Sequence, residues 1–288
     1  MVDENDSDGA TQKSTTATVV LAGLIGMDIQ GSRSPAIHEN EAAAQGFALR
    51  YQLFDLALDG ACANDLAATL EKAERAGFAG VNVTHPFKQQ VMSLLDRLSD
   101  EAQAIGAVNT ILFHDGQRTG YNTDASGFAE GFNRQLSGAD ISHVVQIGAG
   151  GAGAATATAI VDLGCRDLVI IDVHADRAAE LVSRLPGNVA RVGAEVASEL
   201  ASARGLINAT PIGMEGHAGI PVDPALLHAG LWVADVVYFP LETELLKSAR
   251  ALGCRTAHGG DMVVFQAARA FDLFTGHRAD RERMVANF

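Results

Sequence analysis

The residues best suited to chemistry gather in a few short runs. The densest is Gly148-Ala149-Gly150-Gly151-Ala152-Gly153. Gly148, Gly150 and Gly153 keep the G-x-G-x-x-G spacing. In that spacing the first glycine makes a tight turn, the second admits a pyrophosphate to the backbone, and the third lets a helix pack on a strand. The run follows the apolar segment 144–147 and opens an alanine-rich helix over 154–163 that Gly164 stops. The free N–H groups at that helix start can face phosphates. A second strand over 168–172 ends in Asp172, whose carboxylate can accept from ribose hydroxyls and would repel a 2′-phosphate. The expected ligand is a dinucleotide, NAD rather than NADP, with Arg177 close enough to soften the preference. The bland alternative is a glycine-rich turn that binds nothing.

Other runs offer hydroxyls, amides and one lysine. In Ser32-Arg33-Ser34-Pro35, Ser34 reads as the N-cap and Pro35 as the first residue of a helix over 36–44. With Ser32 beside it, the pair makes a plausible carboxylate seat. In the stretch 80–88, a strand ends at Thr84, Pro86 starts a helix, and Lys88 falls in its first turn. A cation there opposes the helix dipole, and a residue set against its propensity points to function. An ordinary surface lysine is the other reading, and His85 reads as structural. Asn109 and Asn122 can pair with ligand hydroxyls or cap turns, and Asp124 by default caps a helix over 124–136. Asn208-Ala209-Thr210-Pro211, Tyr238-Phe239-Pro240 and the span Met262 to Gln266 sit at strand ends or helix starts. Open α/β sheets bind ligands at such places. Gln266 alone reads as a solvated helix face.

The elements that must position these residues alternate along the chain. Strand patterns fall at 19–25, 50–54, 79–83, 107–112, 144–147, 168–172, 189–192, 206–208 and 232–237. Helices are expected between most of them, then over 242–252, 262–274 and 278–288. The fold class is α/β, with parallel sheets covered on both faces. The glycine fingerprint normally sits on the first strand of its unit, yet here several strands precede it, so the first half forms a separate domain. The expected division is a disordered tail at 1–17, one domain of 18–124 plus 255–288, and a Rossmann domain of 125–254. Lys+Arg 21 against Asp+Glu 35 gives 21 − 35 = −14, which argues against nucleic acid or an anionic membrane as partner. An anionic substrate must then be held by local donors. Cys62, Cys165 and Cys254 form no C-x-x-C pair, as expected of reduced thiols in a cytoplasmic protein, and no metal-ligand spacing occurs. No signal peptide and no bilayer-length apolar run is visible.

Taken together and in order, these motifs resemble the shikimate dehydrogenase family over residues 19–288. The matching runs are Ser32-x-Ser34-Pro35, Asn82-Val83-Thr84-x-Pro86-x-Lys88, Ala107-Val108-Asn109-Thr110 and Gly120-x-Asn122-Thr123-Asp124. With them go Gly148 to Ala152, Asn208-Ala209-Thr210-Pro211-x-Gly213-Met214, and the Tyr238 and Gln266 segments. The resemblance implies an N-terminal substrate and catalytic domain, a Rossmann NAD-binding domain, a cleft between them, and C-terminal helices that return to the first domain. It implies that Ser32 and Ser34 hold a substrate carboxylate, with Thr84, Asn109, Asp124, Tyr238 and Gln266 around the ring. Lys88 and Asp124 match its catalytic pair, and Thr210, Val236 and Gly259 fall on the cofactor side with Gly148, Ala149, Gly150, Gly151, Ala152, Asp172 and Arg177. The segment Asp172-Val173-His174 and the run 235–246 look closest to the NAD-dependent quinate/shikimate branch. The implied reaction is oxidation of a ring hydroxyl of shikimate or quinate, within aromatic amino acid biosynthesis. As its base, Lys88 must release a proton near neutral pH, which burial and a helix N-terminus favour and Asp124 opposes. Asp124 then mainly orients Lys88 and the hydroxyl. The implied partner is a small cyclohexane or cyclohexene carboxylate, bound by a monomer or homodimer. An aminoshikimate-type dehydrogenase and a non-catalytic quinate/shikimate sensor are the competing readings.

Overall fold

A computed structural model describes residues 19–58 and 65–288, so the 1–17 tail lies outside the described residues. The first sheet is built from β1 (Val20–Gly26), β2 (Leu49–Asp55), β3 (Gly80–Val83), β4 (Arg97–Leu98), β5 (Thr110–His114) and β6 (Gln117–Tyr121). Helices α1 (Ser34–Ala44), α2 (Asp65–Arg75) and α3 (Asp100–Ile105) cross between them. The strand order is β2-β1-β3-β5-β6-β4. β1 runs parallel to β2 and β3, but β5 is antiparallel to both β3 and β6. The expectation of a purely parallel sheet therefore fails here. Asp115 and Gly116, with φ of 52° and 70°, close a two-residue hairpin between His114 and Gln117. An Asp-Gly pair favours that turn because both residues tolerate positive φ.

The second sheet is parallel throughout, as expected. Its strands are β7 (Val144–Ile147), β8 (Leu168–Ile171), β9 (Ala190–Val192), β10 (Gly205–Asn208), β11 (Trp232–Asp235) and β12 (Arg255–Ala257). They lie in the order β12-β11-β10-β7-β8-β9. The order reverses at β7, so a crevice opens at the carboxyl end of that strand. Helix α4 (Asp124–Gln135) leads into this unit, and α5 (Gly151–Asp162), α6 (Ala175–Arg184), α7 (Val196–Leu200) and α8 (Glu244–Ala251) cover it. Because Arg255 to Ala257 pair with β11, the chain returns to the first unit after Ala257 rather than at 255.

The return is made by α9 (Gly260–Thr275) and α10 (Arg281–Ala286). Phe271 and Phe274 of α9 share a buried cluster with Ala22, Leu24, Ile37 and Tyr51 of the first unit. Burying each such aromatic stabilises the fold by roughly 1.5–3 kcal/mol. Helix α4 lies between the units: Phe128 and Phe132 join a core with Ala154 of α5 and Met262 of α9. Phe132 meets Trp232 of β11 edge-on, 4.9 Å between ring centroids. The residue that opens α4, Asp124, is thereby held at the mouth between the two sheets.

Candidate active site

Lys88 enters that mouth from a set of turns. Residues 85–89 are turns leading to a short 3-10 helix at Gln90–Leu94, not the α-helix expected from Pro86. Phe87 is drawn into the first core, and the Lys88 carbonyl accepts from the Val108 N–H at 2.8 Å. A carbonyl that an α-helix would use internally is thus spent on the segment before β5. The helix-dipole argument for Lys88 falls away with that helix.

Asp124 is the first residue of α4 rather than its N-cap, which is Thr123 and makes no side-chain cap, and Asn122 just ahead of the helix supplies the acceptor instead. The Asn122 Oδ1 accepts from the N–H groups of Asp124 at 3.1 Å and Ala125 at 3.4 Å, and its Nδ2 donates to the Ala107 carbonyl at 2.9 Å. The Asp124 carboxylate is left to face Lys88. The Lys88 Nζ donates to Asp124 Oδ2 at 2.6 Å, with only 20% and 8% of the two side chains exposed. The lysine stem also touches the glycine loop: a Cβ built on Gly151 would lie 3.4 Å from Lys88 Cδ. Lysine, carboxylate and dinucleotide fingerprint therefore converge at one point.

Around this point stand most of the other candidates. Burial pushes the Tyr238 phenol up, and the Lys88 cation pulls it back, so the two are electrostatic neighbours. Gln266 points inward, contrary to a solvated helix face, with Oε1 accepting from the Thr123 hydroxyl at 3.4 Å. Asn109 is buried and bound to Thr123, its Oδ1 accepting from the Thr123 N–H at 2.7 Å and its Nδ2 donating to Thr123 Oγ1 at 2.9 Å. Thr84 packs its methyl group on Gly26, where a Cβ would come within 2.4 Å. The two serines adjoin, Ser32 Oγ donating to Ser34 Oγ at 3.2 Å. Ser34 is the first residue of α1 rather than its N-cap, which is Arg33 and makes no side-chain cap. The Ser34 hydroxyl is thus not used as a cap, while Ser32 Oγ accepts from the Ser34 N–H at 3.3 Å.

The cofactor side fits a dinucleotide. Gly148 has φ of 103°, and a Cβ on Gly153 would fall 2.4 Å from the Gly148 carbonyl oxygen, so helix and strand meet as the spacing requires. Gly150 has open space where a side chain would be, and no side chain caps α5. Room and free N–H groups for a pyrophosphate are both present. Ala149 is buried, and Ala152 is half-buried in the first turn of α5. Gln146 had no motif to mark it. Its Nε2 donates to the carbonyls of Gly148 and Gly153, each at 2.9 Å, and so braces the loop from inside the strand. Asp172 accepts from the Ala149 and His174 N–H groups, each at 2.8 Å, using one oxygen for each. It ties the loop down and keeps lone pairs for a ribose. Arg177 is exposed on the first turn of α6.

Across the crevice, Thr210 donates its hydroxyl to Asn208 Oδ1 at 2.7 Å. Val236 and Gly259 touch: a Cβ on Gly259 would come within 2.2 Å of the Val236 carbonyl oxygen. Behind both loops lies Asp235, which sequence patterns did not single out. It is buried, and it accepts from Asn208 Nδ2 at 2.9 Å, the Val237 N–H at 3.0 Å and the Thr243 hydroxyl at 2.7 Å. Burial pushes its carboxyl up, and these three donors work against that. Among the described residues no cluster of His, Cys, Asp and Glu could hold a metal.

Comparison with known proteins agrees with this two-sheet fold. A family model for the shikimate dehydrogenase substrate binding domain matches residues 24–111, and one for the shikimate 5′-dehydrogenase C-terminal domain matches residues 259–286. The chain is 49% identical to a shikimate dehydrogenase (NADP(+)) of Streptomyces avermitilis over 93% of its own length and 94% of the relative's. It is 45% identical to a quinate/shikimate dehydrogenase (NAD(+)) of Corynebacterium efficiens, over 93% and 97%. The solved quinate dehydrogenase from Corynebacterium glutamicum in complex with NAD superposes with a TM-score of 0.88 at 43% identity, covering 94% of this chain and 98% of that one. Similarity of this extent, over both sheets and the cleft between them, means that the chain belongs to the shikimate dehydrogenase family.

Proposed function

We propose that the protein is an NAD-dependent dehydrogenase that interconverts a ring hydroxyl of shikimate or quinate with the matching ketone. The observation that carries this reading is the Lys88–Asp124 pair, 2.6 Å apart and packed on the glycine loop. Oxidising a secondary alcohol removes a hydride from carbon and a proton from oxygen. The hydride goes to the nicotinamide ring when NAD is bound. Lys88 takes the hydroxyl proton, and Asp124 fixes the amine against the reacting oxygen. In the reverse direction the Lys88 ammonium donates to the developing alkoxide. Ser32 and Ser34 seat the carboxylate; Thr84, Asn109, Tyr238 and Gln266 surround the ring. Gly148, Ala149, Gly150, Gly151 and Ala152 hold the pyrophosphate, Asp172 the ribose, and Thr210, Val236 and Gly259 the nicotinamide side. The choice of NAD rests on Asp172 and on the absence of a cation among Asp172-Val173-His174. It is supported by the NAD(+) relatives, although the 49% relative is named for NADP(+).

On this reading residues 18–124 with the C-terminal helices form the substrate domain, and residues from 125 through β12 form the cofactor domain. The enzyme acts on a small acid in the cytoplasm as a monomer or homodimer. No described helix is long and apolar enough to cross a membrane, and the net charge of −14 disfavours a nucleic acid. The test is Lys88→Ala, assayed with shikimate and with quinate against NAD and NADP. Turnover should fall roughly 10²–10⁴-fold, the usual worth of a general acid–base group, with a smaller change in substrate KM. Near-normal turnover would remove Lys88 from the mechanism.

A further inference from the structure

The loops on the nicotinamide side hang from one buried carboxylate. Asp235 ends β11 and is 2% exposed; Asn208 ends the neighbouring β10, directly opposite it in the parallel register, and is fully buried. Asp235 Oδ1 is shared between the two loops that follow these strands. It accepts from Asn208 Nδ2 at 2.9 Å and from the Val237 N–H at 3.0 Å. Oδ2 accepts from the Thr243 hydroxyl at 2.7 Å, and Thr243 caps α8 by accepting from the Leu246 N–H at 3.3 Å. All three donors to Asp235 are uncharged. An apolar side chain would fill a buried strand end without the cost of desolvating a carboxyl, so the acid is there for what it holds.

What it holds is the cofactor side of the cleft. Asn208, tied by its Nδ2, turns Oδ1 to the Thr210 N–H at 3.1 Å and the Thr210 hydroxyl at 2.7 Å. The Asn208 carbonyl accepts from the Val236 N–H at 3.0 Å. Val237, tied by its N–H, uses its carbonyl to accept from the Gly259 N–H at 3.2 Å. Thr210, Val236 and Gly259 therefore all connect to the same oxygen atom through a single intervening residue.

We infer that Asp235 is a positioning residue for hydride transfer: through Oδ1 it sets Thr210 on one loop against Val236 and Gly259 on the other, and so the placement of the nicotinamide ring. This rests on the reading that those three residues border that ring. A misplacement of about 1 Å at a reacting group costs on the order of a hundredfold in rate, so small loop shifts are enough to be measured.

The test compares Asp235→Ala, Asp235→Asn and Gly259→Ala with wild type, using shikimate, NAD and ADP-ribose. ADP-ribose carries all of NAD but the nicotinamide ring, and calorimetric titration with it counts the folded sites. In Asp235→Ala, kcat per ADP-ribose site should fall about tenfold to a hundredfold, with the Kd for ADP-ribose within about twofold of wild type. Asp235→Asn should recover most of that loss. Its Oδ1 still accepts from Asn208 and Val237, and its Nδ2 can donate to Thr243 Oγ1. If ADP-ribose affinity falls in step with kcat, or Asp235→Asn is as slow as Asp235→Ala, the inference is overturned. Gly259→Ala drives a methyl group into the Val236 carbonyl and should also lower kcat per site. If it does so while Asp235→Ala turns over normally, the inference alone fails. If Gly259→Ala itself turns over normally, these loops do not border the nicotinamide, and that part of the functional reading fails first.

Discussion

At the scale of single residues, the site depends on side chains released from ordinary structural duties. Asp124 is free for Lys88 because Asn122, just ahead of α4, accepts from the first N–H groups of the helix in its place. Asp172 is only partly free, since each oxygen already holds a backbone N–H. Its charge should still decide between cofactors, because a 2′-phosphate beside it would meet a carboxylate. In Asp172→Ser the ratio of kcat/KM for NADP to that for NAD should rise about tenfold or more, a change of about 1.4 kcal/mol. Loosening of the loop would lower both values alike, so the ratio isolates the charge. A ratio equal to wild type would take Asp172 out of cofactor choice. The types of these residues were legible in the sequence. Their division of labour was not, because Asn122 and Asp124 are equally good caps on paper and only the contact with Ala107 chooses between them.

At the scale of elements, the β7–α5 turn was the most legible part of the chain. Its glycines answer to local geometry, which a few neighbouring residues set. Gly153→Ala should destabilise the protein by about 1–3 kcal/mol, since its methyl group would be driven into the Gly148 carbonyl. A denaturant midpoint unchanged from wild type would mean that helix and strand can part without cost. NAD affinity should fall with stability, because the same displacement moves the amides of Gly150 and Gly151. The Pro86 segment shows the opposite case. Proline favours a helix start, but Phe87 is claimed by a core assembled from distant strands, and the Lys88 carbonyl is claimed by Val108. Tertiary demand overrode local preference there. The Asp115-Gly116 hairpin needed no such help: two residues tolerant of positive φ suffice, though the strand patterns above did not include it.

At the scale of the whole molecule, the C-terminal helices lock the first unit closed. Glu41 of α1, 1% exposed at its side chain, accepts from Arg283 Nε at 2.9 Å and Nη2 at 2.7 Å and from the Asp280 N–H at 2.8 Å. Burial by itself would push the Glu41 carboxyl up. Hydrogen bonds from Arg283, Asp280 and Gln45 outweigh it and hold the group below its ordinary 4.5. A carboxyl lowered in the folded state contributes its full stability above the ordinary value and loses it as pH falls from there through the lower folded value. Acid unfolding should therefore steepen below about pH 4.5, and Glu41→Gln should flatten the Tm-versus-pH curve in that window alone. Equal slopes for the two proteins would show that the clamp carries no proton-linked stability. The sequence by itself determined the α/β class and the dinucleotide loop, because periodicity and glycine spacing are short-range properties. Tertiary structure alone decided that Lys88 meets Asp124 across 36 residues, that Tyr51 reaches Asn82, and that α9 packs on the core of the first unit. Those pairings depend on how two sheets and a returning helix pack, and no local pattern of residues records that packing.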